Sequence, residues 1–565
     1  MGLFREKYSC VALLPAGLFD VHVASELLQM HRRGVKLYIV TDCEDTYARF
    51  DVGFHLELYL VKGMKFRFAL SFDGVLPKFV QKILVKLDKN SSFNYAQFVL
   101  EHSDVGADVM VKAGAGTGKT TAMVTRISYL IYRHELDAHT LPDWIWMFTF
   151  TRGAAALMQE KLSQYFQAYF ELTRDEAALA MARAVDRMGI GTIHALARRI
   201  LNVEVVCTKA IKESFLLQAL DKHDKPELCG VFTELMEQLS QKNIDPADPR
   251  LNWGKPSCPE FHTMMLDVLK RASEGIHSHL AKSRQAGLDE LVPMALKSKQ
   301  GLRLDSAPPH YVFIDEFQDT DDNQIALIHE LKSILGFKLF VVGDVKQCIY
   351  RFRGATAQAF DILAPSKQGW SIHHLTKNYR TDIELLDALN RHFTLWGARG
   401  LLPYKKKDRL AGVHNFNIPR PVTQIDEPVD SALLRLLQRL DCNDIAILTR
   451  KNHQAQQVKE NLADAGITDI TILTIHKAKG LEFDTVILPF IPNIFKEKPL
   501  KGDVQIITCE NYIGYHIEID NISHTNNNFH TFRKQDAKER ACEEARILYV
   551  ATTRARRRLI HFGEL

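Results

Sequence analysis

The stretch Val109-Met-Val-Lys-Ala-Gly-Ala-Gly-Thr-Gly-Lys-Thr-Thr-Ala-Met-Val124 decides the fold. A short β pattern, Val109 to Lys112, leads into a glycine-rich turn, and a helical pattern runs on from Thr121 to Tyr132. Strand, glycine loop and helix in that order form a phosphate-binding loop. Gly114, Gly116 and Gly118 let backbone N–H groups converge on phosphate oxygens without Cβ obstruction. The helix N-terminus adds a field that favours anions. Lys119 is expected on the β- and γ-phosphates of ATP, and Thr120 is expected to give Mg²⁺ a hydroxyl ligand. Ala113 stands where the strict pattern has glycine; with Ala115, Thr117 and Thr121 it completes the expected cradle.

Such a loop needs an acidic strand end beside it. Phe313-Ile-Asp-Glu-Phe-Gln-Asp319 supplies one. Asp315 is placed to hold the metal, and Glu316 to orient and deprotonate the attacking water. Paired acids after an apolar strand need a partner, because a charge at a buried strand end is otherwise costly. Around these two motifs strands and helices alternate. Tyr311 to Ile314 and Leu339 to Val342 are short apolar runs of the kind buried in parallel sheets. Residues 202–306 read as mostly helical. A chain of 565 residues is long enough for several domains.

The net charge of +4 neither supports nor excludes a nucleic-acid partner. The nine cysteines form no C-x-x-C pair or zinc spacing, and no apolar run is long enough to span a membrane, so a reducing, cytoplasmic setting is expected.

Asp315-Glu-Phe-Gln-Asp319 resembles the DExQD motif of superfamily 1A helicases, the UvrD/Rep/RecB group. Other motifs of that group follow in order from Gln97 to Arg556, about four fifths of the chain. Phe93 to Gln97 resembles the Q motif, Phe148-Thr-Phe-Thr151 motif Ia, and Gly191-Thr-Ile-His194 motif Ib. Val342 to Gln347 with Tyr350 to Ala355 is similar to motif III. Asn378-Tyr-Arg-Thr381, Thr474 to Phe483 and Leu548 to Ala555 are similar to motifs IV, V and VI. The resemblance implies an α/β chain of two RecA-like P-loop NTPase domains with ATP and Mg²⁺ between them. It implies domain 1A at 91–200 and 307–365, a helical 1B insertion at 201–306, and domain 2A at 366–565. A small α/β module would occupy 1–90.

By the same resemblance, Lys119, Glu316 and Gln347 act from 1A, and Arg380 and Arg554 act from 2A as arginine fingers on the γ-phosphoryl group. Gln97 would read adenine, Tyr379 stack on it, and Glu482 meet the ribose. Single-stranded nucleic acid is gripped by aromatic stacking and backbone contacts. Phe150, Tyr350 and Phe352 are the candidate platforms, and Thr149, Thr192, His194, Arg353 and His476 the candidate phosphate and base contacts. The implied activity is ATP-dependent 3′–5′ translocation on single-stranded DNA and unwinding of 3′-tailed duplex. The alternative is a DNA-stimulated ATPase switch of a repair or phage-defence complex.

Several features depart from the family pattern. Phe352 replaces a common Trp, and Thr121 stands where relatives often carry Arg. Asp444 to Arg450 runs through the next helix into motif V with no room for a 2B domain. Residues 493–541 are longer than usual between motifs V and VI, with strand-like pieces near Val504 to Thr508 and Ile513 to Ile519. His524 to His530 reads as a solvated loop, with metal binding by its histidines as the alternative. At the N-terminus, Arg32 to Asp42 and Phe66 to Gly74 loosely resemble phospholipase-D-like proteins. Only Asp73 matches their His-x-Lys-x₄-Asp motif, with Phe66 and Phe68 in the other positions. That leaves no imidazole nucleophile and suggests a module for binding a protein partner.

Overall fold

A computed structural model describes residues 94–173, 176–298, 307–440, 444–491, 494, 502–509 and 512–565, residues 85 and 88, and the backbone of three strands further upstream. The chain divides into two compact units. One comprises Met1–Ala107, Thr121–Pro142 and Leu157–Met188; the other comprises Asp108–Thr120, Asp143–Ala156 and Gly189–Leu565.

In the first unit, Ser9–Leu14, Lys36–Thr41 and Glu57–Leu60 form a parallel three-stranded sheet in chain order. Phe66, Phe68 and Asp73 lie outside the described residues. Arg126 is buried and gives its guanidinium to the carbonyls of Glu101 (2.8 Å), Ser103 (2.7 Å) and Asp104 (3.2 Å). These bonds fasten the end of the helix Tyr95–Glu101 and leave no guanidinium edge orphaned. Burial beside them pushes the Glu101 carboxyl up to about 7.

The second unit carries two parallel sheets. The first has six strands in the order Trp370–Leu375, Asp108–Ala113, Lys338–Gly343, Tyr311–Ile314, Ile145–Thr149, Gly189–Thr192. Its central strands are buried on both faces, which is why they read as unbroken apolar runs. Trp370–Leu375 pairs with the P-loop strand residue for residue. The sheet therefore takes in a strand beyond residue 365, where the sequence reading ends domain 1A. A polar strand such as Trp-Ser-Ile-His-His-Leu gives no buried-strand signal, because it sits at the sheet edge and is only half-buried.

The second sheet has five strands in the order Val422–Ile425, Ala555–Phe562, Phe483–Leu488, Ile445–Thr449, Thr471–Thr474. The helix Asn452–Asp464 passes to the strand Thr471–Thr474 through residues 465–470 alone, so no domain interrupts the sheet there.

Between Gly189–Thr192 and Tyr311–Ile314 the chain inserts the helices Lys209–Asp221, Cys229–Gln241, Pro259–Ser283 and Leu291–Lys297, as the helical reading of 202–306 anticipates. Their core is shared. Val504, Ile506, Ile513, Tyr515 and Ile517 pack with Phe232, Leu239, Met265 and Leu269 in one apolar cluster. Those five residues come from an antiparallel sheet, Val504–Cys509, Tyr512–Ile519 and Ile522–Thr525. Polar contacts reinforce the join. Gln238 bonds both the Val504 carbonyl (2.6 Å) and the Ile506 amide (3.2 Å). His262 Nδ1 meets the Tyr515 hydroxyl at 2.9 Å.

The run His524 to His530 is not the solvated loop expected from its polarity. Thr525 closes a strand, and Asn526 caps the long helix Asn527–Thr552, its Oδ1 accepting the Phe529 N–H (3.1 Å). The Asn526 side chain is 1% exposed and also donates to the Ile513 carbonyl (3.0 Å), so its polarity is spent on backbone groups. His524 stacks on Phe261 with ring centroids 4.0 Å apart. Among the described residues no cluster of His, Cys, Asp and Glu is arranged to hold a metal ion.

Candidate active site and nucleic-acid track

The P-loop leaves the strand Asp108–Ala113 and opens the helix Lys119–Arg133. Gly116 and Gly118 adopt φ of 68° and 75°, conformations that favour glycine. A Cβ on Gly116 would also strike the Asn378 amide and the Arg380 Cβ, at 2.7 and 2.8 Å. The loop is held by the strand Lys377–Asp382, which pairs with Ala411–His414 in a small two-stranded sheet. Asn378 Nδ2 donates to the Ala115 carbonyl (2.7 Å), and the Tyr379 N–H to that of Gly116 (2.9 Å).

Lys119 Nζ lies 3.4 Å from Glu316. Burial alone would raise the Glu316 carboxyl, but Lys119, Lys479 and a hydrogen bond donated by the Gln318 amide overcome it and bring the group down to about 2. It is therefore an anion at neutral pH. Its backbone sits at φ 50°, left-handed for a non-glycine residue. Such strain recurs at functional sites. Asp315 lies one residue earlier and accepts the Glu316 N–H (2.8 Å). A carboxylate at Asp315 and a hydroxyl at Thr120 are hard oxygen donors, the set that suits Mg²⁺ alongside phosphate oxygens.

The two candidate arginine fingers reach the same place. Arg554 is 1% exposed. It donates to the Leu481 carbonyl (3.1 Å) and approaches Gln347 Oε1 at 3.5 Å. Burial, then the neighbouring Arg380, brings its guanidinium down to about 9. Arg380 pairs with Glu482 (2.7 Å) and donates to the Thr553 carbonyl (3.3 Å). Glu482, expected at a ribose, is paired with Arg380 in this structure. Gln97 lies in the helix Tyr95–Glu101 and Thr121 early in the helix Lys119–Arg133, both within the first unit.

An aromatic row lies in the second unit. Phe150 stacks on Tyr350 at 4.9 Å between centroids, Tyr350 meets Phe352 edge-on at 6.0 Å, and Phe352 meets His476 at 5.7 Å. The Arg353 guanidinium stands 5.6 Å over both Tyr350 and Phe352. Phe352 is 47% exposed, so its face is open. His476 contacts the Ile349 carbonyl through Nε2 at 3.2 Å, and burial lowers its pKa, which makes the neutral ring with its proton on Nε2 the form that fits. Thr192 caps the helix Ile193–Leu201, and burial also lowers the pKa of His194 on that helix. Thr149 is buried and donates its hydroxyl to the Thr151 carbonyl (2.9 Å).

Sequence reasoning missed several residues that tie these parts together. Lys479 is a buried ammonium that pairs with Asp319, donates to the Gln347 carbonyl (2.9 Å), lies 3.9 Å from Glu316 and 5.0 Å over the Tyr350 ring. Burial pushes the Asp319 carboxyl up to about 7 despite that partner. Asn378 and Lys479 sit inside motifs already quoted, so position within the motif was the available signal.

A P-loop followed by an acidic strand end, with one arginine from the two-stranded sheet Lys377–Asp382/Ala411–His414 and one from the turn that leads into the five-stranded sheet, defines a P-loop ATPase built from paired RecA-like sheets. Comparison with known families refines the class. Residues 96–367 match the UvrD/REP helicase N-terminal domain, and residues 465–562 match the UvrD-like helicase C-terminal domain. Together they account for well over half of the chain, and the chain belongs to the UvrD/REP helicase family. It is 25% identical over 416 residues to a probable DNA helicase of Mycoplasma pneumoniae, covering 68% of this chain and 72% of that protein. It is 25% identical to the ATP-dependent DNA helicase PcrA of Bacillus subtilis, covering 64% of this chain and 47% of that one. It is 27% identical over 296 residues to DNA helicase II of Escherichia coli, covering 50% and 38%. The chain thus spans about half the length, or less, of the PcrA and helicase II relatives it matches. No helix among the described residues is long and apolar enough to cross a membrane.

Proposed function

We propose that this protein is an ATP-driven motor that moves 3′ to 5′ along single-stranded DNA and opens 3′-tailed duplexes. The observation that carries the reading is Lys479. One buried side chain meets the carboxylates of Glu316 and Asp319 and the ring at the centre of the aromatic row.

In this mechanism the P-loop amides and Lys119 hold the phosphates of ATP. Bound Mg²⁺, held by Thr120 and Asp315, would neutralise charge on the phosphate oxygens. Glu316, ionised near neutral pH, takes the proton of the attacking water. Arg380 and Arg554 stabilise charge on the transferred phosphoryl group. Gln347 senses that group, and Lys479 and Gln347 pass the change to the row Phe150–Tyr350–Phe352, where bases stack. Gln97 and Thr121 are proposed for the adenine side, with Tyr379 stacked on the base, and Thr149, Thr192, His194, Arg353 and His476 for the DNA strand. The similarity to PcrA and helicase II supports DNA as the track. Residues 1–90, outside both family matches, are proposed to bind a protein partner, and a cytoplasmic setting accords with the free cysteines.

The test is ATP hydrolysis with and without single-stranded DNA, run beside unwinding of a 3′-tailed duplex. DNA-stimulated turnover with unwinding is expected. Stimulation without unwinding would replace the helicase by an ATPase switch, and turnover indifferent to DNA would end the motor reading.

A further inference from the structure

Asp344 is 1% exposed, and its carboxylate serves four donors. Oδ1 accepts the backbone N–H of Lys346 (3.1 Å) and pairs with the Lys346 ammonium (2.8 Å). Oδ2 accepts the side-chain amide of Gln347 (2.9 Å) and the hydroxyl of Tyr549 (3.1 Å). The Asp344 N–H donates to Gln318 Oε1 (2.9 Å), and the other end of that amide bonds Glu316. One buried carboxylate thus stands between the γ-phosphate sensor and the catalytic base.

Tyr549 differs in origin from the other partners. It is carried by the helix Asn527–Thr552, which leads into a strand of the five-stranded sheet, whereas Asp344, Gln347 and Gln318 follow strands of the six-stranded one. Its hydroxyl, while donating to Asp344, accepts the N–H of Ala115 in the P-loop (3.3 Å). The phenol is fully buried. Burial and then the Asp344 charge hold its pKa well above the usual value, so it keeps the proton it donates. One hydroxyl therefore joins both sheets' elements at the P-loop and at the sensor's anchor. The ring is also core, 4.7 Å from Phe393 between centroids. A packing role needs only the ring; the two hydrogen bonds need the oxygen.

We propose that the Tyr549 hydroxyl is a positioning group for ATP hydrolysis: it registers closure of the two sheets by bonding Ala115 and Asp344 together, and through Asp344 it sets the Gln347 amide against Arg554. The inference rests on the ATPase reading above. Tyr549 does not touch the reacting atoms. Without its hydroxyl the Ala115 N–H loses its acceptor in a buried site, and Asp344 Oδ2 keeps Gln347 alone. The carboxylate is then free to turn, and Gln347 Oε1 drifts from the Arg554 guanidinium it now approaches at 3.5 Å. ATP still binds, because the phosphate cradle and Lys119 are intact, but fewer closed complexes have the sensor and finger aligned.

The test compares Tyr549→Phe with the parent protein in DNA-stimulated ATP turnover, ATP KM and thermal midpoint, with Asp344→Asn as the second variant. For Tyr549→Phe we expect kcat to fall about tenfold with KM essentially unchanged and the thermal midpoint lowered by a few degrees at most, since the ring stays and only the oxygen, with its two buried hydrogen bonds, leaves. Asp344→Asn, which keeps the side chain's shape, should lower kcat at least as far. Tyr549→Phe turnover within about twofold of the parent would overturn the proposal, as would a loss that appears equally in ATP affinity or in folding. Absence of DNA-stimulated turnover in the parent protein would instead refute the motor reading on which the inference stands.

Discussion

At the scale of single residues, the site is arranged around charges that cannot relax independently. Glu316 is held in a left-handed backbone conformation, a strain of roughly 1–3 kcal/mol that surrounding contacts must offset. Lys119 and Lys479 lie on its carboxylate, and Gln318 fixes its second oxygen. Glu316→Gln is expected to bind ATP with near-parental affinity and to hydrolyse it orders of magnitude more slowly; parental turnover would remove Glu316 as the base. Lys119→Ala should abolish turnover. Arg554→Ala should lose roughly a thousandfold or more in kcat, as arginine fingers do. The pH dependence of stability has a definite sign. The Glu316 carboxyl falls from its ordinary 4.5 to about 2 in the folded protein. Its contribution to stability is therefore complete above pH 4.5 and is lost as pH falls toward about 2. Acid unfolding of Glu316→Gln should be flatter than the parent's across that window, and an identical slope would show the pair to be energetically idle.

At the scale of elements, two arrangements matter. The first is the aromatic row. Phe352 is the most exposed of its rings, and Phe352→Ala should weaken coupling to single-stranded DNA by about 1–3 kcal/mol while sparing nucleotide affinity. Unchanged stimulation by DNA would take it out of the track. The second is the antiparallel sheet between motifs V and VI. It shares one apolar core with the helical insertion, so neither part is complete alone. Ile506 is 1% exposed there, and Ile506→Ala should cost about 2–5 kcal/mol by leaving a cavity. Tyr515→Phe should cost only about 1 kcal/mol, the loss of its contact with His262. Denaturant midpoints would distinguish the two; equal, negligible effects would mean that the sheet merely rests on the helices. The strand pieces near Val504 and Ile513 were legible because each alternates or runs apolar. Their partner was not, since nothing local in Ile-Ile-Thr-Cys says that Phe232 and Met265 will cover it.

For the whole molecule, the short join at residues 465–470 means the five-stranded sheet carries no inserted domain at that point. A motor of this form should track a strand even if it opens duplex poorly. On single strands bearing streptavidin at one end, it is expected to displace streptavidin from a 5′ end and not from a 3′ end; the reverse would overturn the assigned direction. Sequence alone determined the class of chemistry. Phosphate binding, metal binding and water activation are written in contiguous strings, where a strand, a glycine turn and a helix start, or an apolar strand and two acids, place their groups by local geometry. Buried apolar strands such as Tyr311–Ile314 and Lys338–Gly343 were also legible, whereas the half-buried edge strand Trp370–Leu375 was not. Tertiary structure alone decided which groups answer one another. Ala115 and Tyr549 are 434 residues apart, and Lys479 is 160 from Asp319. The Asn-rich run at 526–528 became a helix cap rather than a loop only because the Ile513 carbonyl and the Phe529 amide were brought to it. Such pairings depend on how two sheets and an insertion pack together, and a hydrogen bond across that packing leaves no periodicity or spacing in the chain from which it could be read.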